Sequence, residues 1–115
     1  MTEPLKPDHP VAERLSPDER IRAHIAVAQA RIVVTDRRLA VADEDRLALD
    51  IEIAGLRRIQ FDIERNRPAT LVIVPEHSQH EPQVLAVPNE QLPAVADAIA
   101  YLGQRINSEA SNPNP

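Results

Sequence analysis

One stretch of the chain brings together residue types that do chemistry, His77-Ser78-Gln79-His80-Glu81. Two histidines three residues apart could share a metal ion, and serine beside histidine and glutamate suggests an activated nucleophile. A triad, however, is assembled from separated elements, and a metal centre needs three or four ligands with partners behind them. Lying between Pro75 and Pro82, the pentapeptide reads as an exposed loop. No catalytic residue, metal ligand or cofactor is expected, and no glycine-rich loop is present to cradle a phosphate.

Three arginine pairs offer a different chemistry: Arg37 with Arg38, Arg57 with Arg58, and Arg65 with Arg67. A guanidinium presents a planar fork to carboxylate or phosphate, so such pairs can converge on an anionic headgroup or an acidic peptide. Asp36, Asp43, Glu44, Asp45, Asp62 and Glu64 stand close by in sequence, which favours a solvated, balanced rim. The candidate anion or partner site is therefore Arg37, Arg38, Arg57 and Arg58. The acidic run Asp43-Glu44-Asp45 lacks the spaced oxygens and glycine of a calcium loop and reads as a charged turn. His24 is expected on the polar, solvent side of its strand.

The elements that must position these groups are legible from periodicity. With 115 residues the chain suits one domain, and 43% hydrophobic residues with only Phe61 and Tyr101 as aromatics make the core aliphatic. A net charge of -5 without a basic stripe or stacking aromatics excludes a nucleic-acid partner. There is no cysteine, no apolar run long enough for a span and no leader pattern, so a cytoplasmic address is expected. Prolines crowd both ends, giving an expected domain over 19–107 between disordered tails at 1–18 and 108–115.

Leu47, Leu49, Ile51 and Ile53, then Ile59, Phe61 and Ile63, alternate with polar residues and predict half-buried strands with Gly55 at the reversal, a residue that accepts positive φ. Segments 31–35 and 39–41 form a hairpin about Asp36, and 70–74 and 84–87 are short strands between prolines. Residues 16–29 carry both a capping-box pattern at Ser16-Pro17-Asp18-Glu19 and an alternation over Ile21, Ala23, Ile25 and Val27; a turn followed by a strand is favoured. Leu92, Val95, Ile99, Leu102 and Ile106 recur at helical spacing, predicting an amphipathic helix over 90–106 with Asn89 as N-cap. Gly103 implies that the helix ends there or that something approaches closely.

Pro17-Asp18-Glu19-Arg20-Ile21, followed by Ala30-Arg31-Ile32-Val33-Val34-Thr35-Asp36-Arg37-Arg38-Leu39-Ala40-Val41, resembles the opening of bacterial PH-like domains, themselves similar to GRAM and pleckstrin-homology modules. The resemblance implies an all-β, seven-stranded antiparallel sandwich-barrel capped by one C-terminal helix. It further implies a non-enzymatic interaction module that works through protein contacts and tends to form homo-oligomers. The first hairpin, from Ala26 to Ala30, lacks the bases of phosphoinositide-binding modules, so a membrane-lipid role ranks behind protein contacts, and an enzyme last. Apolar residues on both faces of a strand need two covers. Val33, Val72 and Val74, with a helix flank of Ala94, Ala98 and Tyr101, are thus the expected self-association surface.

Overall fold

The computed structural model describes residues 11–28, 30–43 and 46–110. Seven strands and one long helix follow in order: β1 Ile21–Val27, β2 Ala30–Thr35, β3 Arg38–Ala42, β4 Leu47–Glu52, β5 Leu56–Asp62, β6 Ala69–Pro75, β7 Gln83–Val87 and α1 Leu92–Ala110. β1 to β4 form one antiparallel meander and β5 to β7 a second. A 3-10 turn at Ile53–Gly55 joins the two sheets, and the Ala28 N–H donates to the Ala86 carbonyl at 3.2 Å, linking the end of β1 to β7.

The period-two pattern places its apolar rows between the sheets. Ile25, Ile32, Val34, Leu39, Val41, Leu49 and Ile51 from the first sheet meet Leu71, Ile73 and Val87 from the second. Val95, Ala98 and Leu102 of α1 complete this core. An amphipathic helix with one apolar stripe closes what two short sheets leave open.

A second, smaller cluster lies on the outer face of the first sheet. Val11, Val33, Ala40 and Ala42 are buried there, with Leu15, Ile21 and Leu47 packed against them. Residues 11–18 fall within the stretch expected as a tail, yet Val11 is fully buried and Ala12–Arg14 forms a 3-10 turn over the sheet. The physical reason is the two-cover requirement: Val33 needs a lid, and the chain's own N-terminal segment supplies it. Residues 1–10 and 111–115 lie outside the described residues. A register shift between Ile21 and Ala23 turns Ile21 to this outer cluster, so the alternation from Ile21 to Val27 does not mark one face. Strand β1 is nonetheless the favoured reading, and the capping-box residues form a turn in which Glu19 N–H donates to the Ser16 carbonyl at 3.0 Å.

Three local expectations change. Gly55 has no positive φ, the only described residue in that region being Asn66 at 59°; the corner is instead made by the 3-10 turn and filled by buried Leu56. Asn89 does not cap the helix: it opens a 3-10 turn, Asn89–Gln91, and α1 starts at Leu92 with Pro93 in the first turn, where its missing N–H needs no partner. The helix also runs on through Gly103, where an added Cβ meets nothing within 4 Å. Gly103→Ala is therefore expected to stabilise the chain by up to about 1 kcal/mol, read as a higher urea midpoint.

Candidate functional site

The two sequence segments that carry the family resemblance meet in space, residue against residue. Thr35 ends β2, and its hydroxyl accepts from the Arg37 N–H at 3.1 Å and the Arg38 N–H at 2.9 Å, shaping the β2–β3 turn. That hydroxyl donates in turn to Glu19. Glu19 also accepts from Arg38 Nε at 2.8 Å and from the Ser16 N–H at 3.1 Å, with its side chain fully buried. Arg38 reaches both Asp50 oxygens at 3.1 and 3.2 Å, and Arg14 adds a 3.2 Å contact to Asp50. Asp18 holds Arg37 at 2.6 Å, and the Asp36 carboxylate accepts from the Arg20 N–H at 3.1 Å. The local turn acceptor is thus Thr35 rather than Asp36, whose side chain bridges to the N-terminal segment.

This arrangement is a clasp fastening the segment before β1 to the β2–β3 turn. Burial works against the charge on Glu19, but hydrogen bonds from Arg38, Thr35 and the Ser16 amide outweigh it and hold the carboxyl below the usual glutamate value. The hydrogen bond from Arg37 lowers Asp18 likewise, and the two guanidinium groups are raised by their acids. A carboxyl whose native value is lowered contributes stability that is complete above its unfolded titration range, about pH 4.3 for glutamate, and is lost as pH falls through that range toward the native value. The urea midpoint is therefore expected to drop between roughly pH 6 and pH 3, with a shallower drop in Glu19→Gln. Equal slopes would place the acid sensitivity elsewhere.

The four candidate arginines thus divide. Arg37 and Arg38 are engaged inside the chain, Arg38 with only 20% of its side chain exposed. Arg57 and Arg58 are exposed at the start of β5 and make no ion pair among the described residues. Arg67 pairs with Glu64 at 3.4 Å on the β5–β6 turn. In the loop after β6, His77, Ser78, Gln79 and Glu81 are exposed and His80 half-buried. Among the described residues no three His, Asp or Glu side chains gather to hold a metal ion. His24 departs from expectation: it is buried, opposite Val33, because the N-terminal segment covers that face.

The expected self-association surface also divides. Val33 is fully buried under Val11 and its neighbours, and Ala98 belongs to the main core, so neither is available to a partner. Val72 and Val74 are half-buried on the outer face of the second sheet, where Val72 sits opposite Val84, itself 69% exposed. Ala94 and Tyr101 are half-buried on the flank of α1 facing β1. Sequence reasoning missed Glu19, Asp50 and Val11 as organising residues; Glu19 and Thr35 lie inside the quoted motif, but nothing local shows that they pair.

With this architecture the chain is similar to a crystallised pleckstrin homology domain from Shewanella amazonensis SB2B. The two superpose with a TM-score of 0.62 at 16% identity, over 82% of this chain and 92% of that one. The chain has a PH-like fold. No protein-family model matches its sequence, and no curated protein matches it either. In this PH-like chain no helix among the described residues is long and apolar enough to cross a membrane.

Proposed function

We propose that this PH-like chain is a non-catalytic interaction module that works in the cytoplasm through protein–protein contacts, self-association among them. The observation that carries this is the valine row of the second sheet. Val72, Val74 and Val84 stand on an outer face with no covering segment among the described residues, whereas the corresponding face of the first sheet is closed by Val11 and Leu15. An aliphatic row on an uncovered sheet face favours another protein surface over water.

The lipid reading draws on Arg57 and Arg58 alone, since Arg37 and Arg38 are engaged by Asp18, Glu19 and Asp50. Two bases fall short of the roughly four to eight that mark an anionic-membrane site. Vesicles rich in phosphatidylserine are expected not to retain the chain.

Light scattering after size exclusion tests the proposal. An oligomer is expected, and Val72→Glu with Val74→Glu is expected to disperse it while leaving the β circular dichroism intact, because unpaired charge is strongly disfavoured in a buried interface. A single 12.8 kDa species at high concentration would contradict self-association. Loss of folding in the double variant would assign the two valines to the core.

A further inference from the structure

A cleft separate from the clasp and the valine row lies where α1 passes the first sheet. β1 is an end strand, and Arg22, Ala23 and Ile25 face Ala94, Asp97 and Tyr101 across a cleft of about 260 Å³. Its walls are mostly aliphatic, and it has room for a few side chains. The register shift between Ile21 and Ala23 makes Arg22 the extra residue of a bulge, and its guanidinium lies over the Tyr101 ring, 5.6 Å from the centroid. A bulge re-aims a side chain in this way. At the other end of the strand, Ala28 is already bonded to β7, which leaves the edge from Arg22 to Ala26 as the stretch to be paired.

Charge decides among ligands. The rim carries one cation and one anion, Arg22 and Asp97, with no ion pair between them. A phosphate or a carboxylate that approached Arg22 would also meet Asp97. A peptide backbone, with donors and acceptors in alternation, suits both, and an edge strand offers it the same alternation.

We propose that this cleft receives an extended, uncharged, aliphatic segment of a partner protein, which adds beside β1 as a fifth strand of the first sheet and seats alternate side chains against Ala94 and Tyr101. The proposal rests on the reading of the chain as a protein-contact module but not on self-association, which is assigned to the opposite sheet.

The test is a titration of the full, nitrogen-15-labelled chain with a capped octapeptide of alternating valine and threonine, and with the same peptide methylated on alternate backbone nitrogens. Saturable amide shifts confined to 22–26 and 94–101 are expected. Binding should weaken by roughly tenfold or more with the methylated peptide and with Ala94→Arg, a half-buried helix position, the unchanged amide spectrum away from the cleft serving as the check that this variant is folded. No saturable shifts at the cleft, or shifts indifferent to methylation or to Ala94→Arg, would overturn the proposal. Shifts at 22–26 that grow with chain concentration in the absence of peptide would assign the cleft to a second copy and overturn it equally. Failure of self-association is read separately, by mass in the Val72→Glu/Val74→Glu variant.

Discussion

Glu19→Ala is expected to cost about 3–5 kcal/mol, read as a shifted urea midpoint at unchanged slope. The truncation removes the acceptor for Thr35, for Arg38 and for the Ser16 amide at once. It leaves the Arg38 guanidinium partly desolvated, with Asp50 as its remaining acid. A domain of this size has about 5–15 kcal/mol to lose, so this single change takes a third or more of the total. Removing both ends of the pair is a different matter. Glu19→Leu with Arg38→Met trades two desolvated charges for apolar bulk and is expected to cost less than Glu19→Ala alone. If the double variant instead loses the sum of the two single losses, the groups do not act as a unit.

Leu102→Ala is the second large effect, about 2–5 kcal/mol, because Leu102 is buried where α1 meets both sheets and its removal leaves a cavity. Leu92 and Ile99 pack on the same core but are half-buried, so their alanine variants are expected to cost less than Leu102→Ala. Thermal midpoints ordered in that way place the helix as the plug of the sandwich. A Leu102→Ala variant that melts with the parent chain would remove the helix from the core.

Strands and helix were legible because their apolar periods are set by the core between the sheets: Leu49 and Ile51, Leu71 and Ile73, Val95 and Leu102 all face it. The second cluster was not legible, for two reasons. Ile21 keeps the spacing of Ala23 and Ile25 but is turned to the other face by the bulge at Arg22, and a bulge leaves no mark in alternation. Val11 lies among Pro4, Pro7, Pro10 and Pro17, so composition speaks for a tail while one buried side chain ties the segment down. The arginines show the same limit at the candidate site. Arg37-Arg38 and Arg57-Arg58 look alike along the chain, yet the acids that engage the first pair, Asp18, Glu19 and Asp50, are 12 to 19 residues away. Nearness in sequence pointed to Asp36, whose carboxylate caps the Arg20 amide instead.

That division of the arginines governs the functional reading, since a motif spent on an internal clasp leaves the sheet face and the strand edge as working surfaces. Titrating the labelled chain with inositol hexakisphosphate tests it at the residues concerned. Amides from Thr35 to Arg38 are expected to show no saturable shift, because the Asp18, Glu19 and Asp50 carboxylates already occupy the guanidinium groups and repel a polyanion. Saturable, salt-sensitive shifts centred on those four residues would show that the clasp opens to an anion and would contradict the assignment of the motif to the chain's own structure.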